Sequence, residues 1–331
     1  MTTTATNSNL DENNSIQFYD YHPAQADLLD EVLEGMASSP RSIAPKFFYD
    51  EKGSQLFDAI CETSEYYPTR TEIKILEQNL DEIVEHVGDD CLLIEPGSGS
   101  SQKVRVMLEA VNPKAYMPLD ISKDYLKIAA SDVASEYPWL EVHAACVDYT
   151  SPFHLPPCHE KSRKVAFFPG SSIGNFDPEQ AIEFLSHLAN MLESDGGLLI
   201  GVDLKKDKDI LHAAYNDNDG ITAAFNENLL ARISGELEAD FDLQKFHHKA
   251  FYNEQLGRIE MHLVSDETHT VSIGEHDFEF KKNESIHTES SYKYTIDEFQ
   301  ALAKKAGFNS VNVWTDTNNL FSVHYFEVVN K

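Results

Sequence analysis

The chain has 331 residues, enough for one large domain or two smaller ones. Its 26 Lys and Arg against 56 Asp and Glu give a formal charge of −30, which opposes nucleic-acid wrapping and adhesion to anionic membranes and makes the surface self-repelling. Four separated cysteines with no Cys-x-x-Cys, no apolar run of membrane-spanning length and no leader pattern point to reduced thiols in a cytoplasmic protein.

Residues 1–16 are Thr- and Asn-rich and read as a disordered tail. Leu28, Val32 and Met36 recur every four residues, which predicts an amphipathic helix over 24–36 with Gly35 near its end. Two aromatic segments follow, Pro45-Lys46-Phe47-Phe48-Tyr49-Asp50 and Glu65-Tyr66-Tyr67-Pro68-Thr69-Arg70. Clustered rings are first of all a core signal, but the tyrosine hydroxyls need partners, so a polar pocket is a second reading. Thr69-x-x-Glu72 has the form of a capping box opening one long helix through Ile73, Leu76, Leu80, Val84 and Val87, with Gly88 as its stop.

The centre of the chain is Leu92-Leu93-Ile94-Glu95-Pro96-Gly97-Ser98-Gly99, followed by helical spacing through Val104, Met107, Leu108 and Val111. An apolar strand, a Gly-x-Gly turn and a helix N-terminus form a cradle for a nucleotide-like ligand. Gln102 stands where a dinucleotide fingerprint has its third glycine, and no Gly-Lys-Ser/Thr follows. The motif therefore suits the adenosyl group of S-adenosylmethionine better than NAD or ATP. Strand signals then recur over 115–119, 141–147, 165–168 and 198–202, with helices between, predicting a parallel sheet covered on both faces. Asp120 lies 25 positions after Glu95, where an acid accepts from ribose hydroxyls, and Asp148 ends the third strand, where a carboxylate meets an adenine amino group. Each alone reads equally as a helix cap or solvated carboxylate; the pair in register favours the ligand. Lys103 can reach a methionine carboxylate or stay in water. Asn175, in the loop Gly170-Ser171-Ser172-Ile173-Gly174-Asn175, offers a donor and an acceptor.

Beyond Asp203 the pattern changes. A helical stretch over 205–231 and antiparallel alternation over 246–289 form an inserted block, and Thr295-x-x-Glu298 opens a further helix before two strands that close the sheet. His-Glu-x-x-His, clustered Cys and His, and Gly-x-Ser-x-Gly are all absent, so no metal site is expected, and His247-His248 reads as a surface pair. Methyl transfer to an amine asks for alignment more than for a strong base, and Tyr49, Asn175 and Tyr215 are suitable hydrogen-bonding types.

The chain resembles the histidine N-alpha-methyltransferases of ergothioneine biosynthesis, the class I methyltransferases that form hercynine. The resemblance is carried by the two aromatic segments, the Gly170 loop, Gly220-Ile221-Thr222-Ala223-Ala224-Phe225-Asn226, Ala239-Asp240-Phe241-Asp242-Leu243 and Arg258-Ile259-Glu260-Met261. It implies an α/β fold: a Rossmann-like sheet of seven strands and an α+β substrate lobe. The lobe comprises 17–70 and 206–293, and the methyltransferase domain 71–205 and 294–331. It also implies S-adenosylmethionine contacts at Gly97, Ser98, Gly99, Lys103, Asp120 and Asp148. Asn175 and Tyr215 match positions for a substrate carboxylate, Tyr49 one near the amine, Tyr66, Glu289 and Ser291 those for an imidazole, and Met261 a pocket lining. The expected protein is a monomeric enzyme that adds three methyl groups to the alpha-amine of L-histidine, with no nucleic-acid or membrane partner. Another amino acid, a thiolated histidine, or a non-catalytic adenosyl-binding role are the alternatives.

Overall fold

The structure, a computed structural model, describes residues 6–9, 16–21, 28–99 and 102–329. The chain divides into two compact units, one of Met1–Pro23, Arg70–Leu204 and Tyr294–Lys331, the other of Ala24–Thr69 and Lys205–Lys293.

The first unit is built on a nine-stranded sheet. Across it lie Thr6–Asn9, Ile16–Asp20, Glu141–Cys146, Ala115–Asp120, Leu92–Pro96, Lys164–Phe168, Gly197–Asp203, Phe321–Val328 and Phe308–Thr315. The five central strands expected from the sequence pair in parallel. Leu92–Pro96 is buried along its whole length, as a strand with both faces covered must be. The chain steps outward from this strand in one direction, then returns to its other side, so its carboxyl end is the point where strand order reverses. The last two strands close the sheet antiparallel, completing the expected seven.

Two strands were not anticipated. Ile16–Asp20 runs parallel beside Glu141–Cys146 and Thr6–Asn9 pairs antiparallel with it, so the expectation of a disordered tail over 1–16 fails at 6–9 and 16. Residues 17–20, expected to belong to the second lobe, likewise belong to this sheet. Ile16 and Phe18 alternate inward and join the core of the unit, which holds the Ile16–Asp20 strand in place. The rest of the tail, 1–5 and 10–15, lies outside the described residues. The expected long helix is two, Pro68–Gln78 and Leu80–Val87, separated at Asn79, whose amide donates to the Ile75 carbonyl at 2.7 Å. Capping boxes form at Asp177 with Gln180 and, as expected, at Thr295 with Glu298.

The second unit holds a four-stranded sheet in the order Arg41–Ser42, Ser285–Tyr292, Arg258–Ser265, Phe246–Asn253, and a separate hairpin of His269–Ile273 with His276–Phe280. Its helices are Leu28–Ala37, Glu51–Glu62, Lys208–Ala214 and Ile221–Glu236. Gly35 lies inside the first helix and does not end it; positions 24–27 of the expected helix are outside the described residues. The helical stretch expected over 205–231 breaks after Ala214, because the Asp217 carboxylate accepts the Ile221 and Thr222 N–H groups at 2.8 Å each and starts a new helix. Phe48 stacks on Phe225 with centroids 4.5 Å apart. Asp50 caps Glu51–Glu62 through the Gly53 N–H at 2.6 Å and also accepts from Asn228 at 2.9 Å. The first aromatic segment is thereby fixed to the Ile221–Glu236 helix.

Candidate functional site

In the first unit the strand Leu92–Pro96 delivers the chain into the Gly97 turn. Gly97 has φ of 69°, and its N–H donates to the Leu119 carbonyl at 2.7 Å, as does that of Ser98 at 3.3 Å, so the turn is tied to the end of the neighbouring strand. A Cβ at Gly97 would lie 2.8 Å from the Tyr149 hydroxyl, so the left-handed conformation and the close approach both require glycine. Asp120 ends that neighbouring strand, accepts the Ser122 N–H at 2.8 Å, and is pushed up to about 6 by burial. Asp148 is half-buried and accepts from the Thr150 N–H and hydroxyl at 3.0 and 2.5 Å. Glu95 accepts the Tyr116 hydroxyl, and burial raises its carboxyl to about 7. A glycine turn that a side chain would fill, bordered by carboxylate acceptors at successive strand ends, suits a ligand with ribose hydroxyls and a cationic centre. Asn175 closes the short helix Ser172–Asn175 and is half-buried; its amide makes no hydrogen bond among the described residues.

Lys103 has a partner within the protein that the sequence did not show. Its ammonium pairs at 2.6 Å with Glu72, which is 1% exposed and also accepts the Gly170 N–H with both oxygens, at 3.0 and 2.9 Å. Glu72 is therefore no capping-box residue: its helix starts at Pro68, and its carboxylate joins Lys103 to the Gly170 turn. The Thr69-x-x-Glu72 spacing masked this residue because a local cap and a long-range ion pair draw on the same residue type at the same spacing.

In the second unit the strand Ser285–Tyr292 brings Glu289 and Ser291 onto one face, with Lys293 continuing the alternation just past its end. Met261 is the cross-strand partner of Glu289 and is fully buried, and Ile259 pairs with Ser291. Tyr215, the first residue after Lys208–Ala214, donates its hydroxyl to Ser291 Oγ at 2.9 Å. Lys293, 2% exposed, donates to the same Ser291 Oγ at 2.9 Å and to the Tyr215 hydroxyl at 3.1 Å. Tyr66 lies edge-on to Tyr215 with centroids 6.3 Å apart, and to Phe57 at 6.3 Å; Tyr49, 42% exposed, packs against Phe57 and Phe225. Burial drives the Tyr66 phenol well above its usual value, and the neighbouring Tyr215, Cys61, Glu289 and Tyr49 reinforce that. The Glu289 carboxylate accepts no hydrogen bond among the described residues; burial raises it to about 7, with Lys293 pulling the other way. The structure thus brings Tyr49, Tyr66, Tyr215, Met261, Glu289 and Ser291 together in this unit, while Asn175 and the Gly97 turn belong to the other.

Sequence reading missed Lys293, whose signal was the two-residue alternation after Glu289 and Ser291. It also misplaced His248. Only His247 is a surface residue, paired with Asp266 at 2.8 Å. The His248 ring is half-buried: Nε2 donates to the Tyr215 carbonyl at 2.9 Å, and Nδ1 accepts from Asn226 at 2.9 Å. Asn226 in turn accepts the Thr288 hydroxyl at 2.7 Å, at the point where the strand register shifts beside Glu289. One polar chain therefore sets Tyr215 and Glu289 together. Two clusters, Glu141 with His143 and His159 and Glu260 with His262 and His287, place carboxylate and imidazole atoms close together despite the lack of a sequence motif. Glu141 pairs with His159 at 2.8 Å, and Glu260 with Arg258 at 2.9 Å.

The model of the histidine-specific, S-adenosylmethionine-dependent methyltransferases matches residues 28–328. A histidine N-alpha-methyltransferase of Mycolicibacterium smegmatis is 40% identical over 292 residues, covering 86% of this chain and 90% of that protein. That of Mycobacterium tuberculosis is 38% identical over the same length and the same shares. Ergothioneine biosynthesis protein 1 of Neurospora crassa is 31% identical over 299 residues, covering 84% of this chain and 32% of that longer protein. A strand-ordered sheet with a glycine turn at its switch point and a separate unit bearing a carboxylate, hydroxyls and a buried lysine accord with these likenesses. The chain belongs to the family of histidine-specific, S-adenosylmethionine-dependent methyltransferases.

Proposed function

We propose that the protein methylates the alpha-amine of L-histidine three times, forming hercynine in ergothioneine biosynthesis, as a cytoplasmic monomer. The observation that carries the substrate reading is the buried Glu289 carboxylate, without a hydrogen-bond donor, two positions from the Ser291 hydroxyl. A carboxylate and a hydroxyl side by side suit a ring with two nitrogens and leave an apolar side chain with unsatisfied partners, at a cost of roughly 1–3 kcal/mol for each polar group.

S-adenosylmethionine, when bound, supplies an electrophilic methyl on a sulfonium. The Gly97-Ser98-Gly99 turn gives it close backbone contact, Asp120 accepts from its ribose, Asp148 from its adenine amino group, and Lys103 lies at its methionine end. Tyr66, Glu289 and Ser291 hold the imidazole, with Met261 as the apolar lining. Asn175 takes the histidine carboxylate and Tyr49 orients the amine, while Tyr215, matched to the carboxylate by resemblance, keeps its one hydrogen on Ser291 Oγ. Hydrogen-bond acceptors at the amine receive its N–H groups and leave the lone pair free for attack; positioning supplies most of the acceleration. Incubation of the purified protein with S-adenosylmethionine and a panel of amino acids, followed by mass spectrometry, should give a gain of three methyl groups on histidine alone. A product stopping at one methyl, or a gain on tryptophan and none on histidine, would refute the reading, and no gain on any amino acid would leave an adenosyl-binding partner protein.

A further inference from the structure

Lys293 is 2% exposed, yet its ammonium is directed at two neutral oxygens, Ser291 Oγ at 2.9 Å and the Tyr215 hydroxyl at 3.1 Å. A hydroxyl has one hydrogen to donate and two lone pairs. Ser291 Oγ already accepts from the Tyr215 hydroxyl at 2.9 Å, and Lys293 fills its second lone pair. The Ser291 O–H is then the one hydrogen-bonding function this side chain has left, and among the described residues nothing accepts it. Without the ammonium, Ser291 would keep an open lone pair and could serve a ligand as acceptor or donor.

We propose that Lys293 is a positioning residue that makes Ser291 an obligatory donor, so that the site selects the neutral form of an azole ring, lone pair toward Ser291 and N–H toward Glu289. The inference rests on the proposed histidine substrate and deepens it. A neutral imidazole presents one acceptor and one donor, matching Ser291 and Glu289 in turn. An imidazolium presents two donors; one would meet Glu289, but the other would meet the Ser291 O–H with the Lys293 ammonium behind it. Among the described residues, the titratable groups that act on Tyr66 beside Glu289 are the Tyr49 and Tyr215 phenols and Cys61. The burial that raises Glu289 to about 7 further weakens its hold on a cationic ring.

The experiment is calorimetric titration of the full chain, saturated with S-adenosylhomocysteine, by L-histidine and by 2-fluoro-L-histidine, whose ring stays neutral across the range. Protonation of Glu289 affects both ligands, so the ratio of their affinities reports the ring of the ligand. Between pH 8 and pH 5.5 the wild type should lose about tenfold in affinity for histidine relative to the fluoro analogue, as the ring protonates one unit below its ordinary pKa. In Lys293→Gln most of that discrimination should disappear. Lys293→Met, which keeps part of the stem and drops the ammonium, is the second variant with the same readout should Lys293→Gln fail to fold by circular dichroism. A merely structural lysine would weaken both ligands equally and leave the ratio at its wild-type value, which would overturn the proposal. So would a wild type whose relative affinity for histidine holds or rises at pH 5.5. Failure of the wild type to bind either ligand at either pH would instead sink the histidine reading itself.

Discussion

Glu289 and Glu95 are both buried carboxylates raised to about 7, yet they differ in what surrounds them. Glu95 has the Tyr116 hydroxyl as a permanent donor, whereas Glu289 has none among the described residues. Glu289→Ala should therefore weaken histidine binding by about ten- to a hundredfold, the worth of a hydrogen bond to a charged group, while S-adenosylhomocysteine affinity, measured by calorimetry, stays at its wild-type value. Equal loss of both would contradict the role given to Glu289. For Glu95 the consequence concerns stability. Its folded pKa of about 7 exceeds the usual 4.5, so the folded state binds more protons between those values. Its contribution is fully present below about pH 4.5 and is lost as pH rises to about 7, by an amount on the order of 3 kcal/mol. Glu95→Gln carries no such titration and can still accept from Tyr116, so urea unfolding should show a flatter stability profile from pH 5 to 7 than in the wild type. A parallel profile in the two proteins would refute the shift.

Among the elements, the Gly97 turn is the most exacting. Its φ of 69° and the Tyr149 hydroxyl 2.8 Å from a would-be Cβ make Gly97→Ala costly twice over. The backbone alone costs about 1–2 kcal/mol, and displacement of Tyr149 should lower S-adenosylhomocysteine affinity more than tenfold by calorimetry; wild-type affinity would show that the turn lies away from the ligand. Elements of this kind are where sequence reading succeeds. The parallel strands announce themselves as apolar runs ending in Glu95, Asp120 and Asp203, because burial on both faces leaves no polar alternation. The helix start at Thr295 was legible because caps are local chemistry. The start proposed at Thr69 failed for the complementary reason. Glu72 lies three residues on, as a cap partner should, but its carboxylate finds the Gly170 N–H, 98 positions away.

For the whole molecule, the formal charge of −30 is the dominant long-range term. Self-repulsion on this scale destabilises the compact state and is screened over a Debye length of about 10 Å at 0.1 M salt. The melting temperature should therefore rise by several degrees between 0.02 and 0.5 M sodium chloride, read by differential scanning fluorimetry. An unchanged or falling value would show that the acidic groups are offset by local ion pairs such as Lys123 with Asp20 and Arg105 with Glu136.

By itself the sequence determined the parallel strands, the Gly97 turn and the acids at the strand ends, all of which follow from local periodicity and backbone sterics; Glu289 and Ser291 were reached only through the family resemblance. Only the tertiary structure decided that Ile16–Asp20 extends the sheet, that Lys103 is held by Glu72, that His248 supports Tyr215, and that Lys293 completes the hydrogen bonding of Ser291. Those facts depend on groups tens to hundreds of positions apart, or on which of several donors reaches a given lone pair. Spacing along the chain carries no information about either, because a side chain's partners are set by where folding brings them and by the high cost of leaving a buried polar group unpaired.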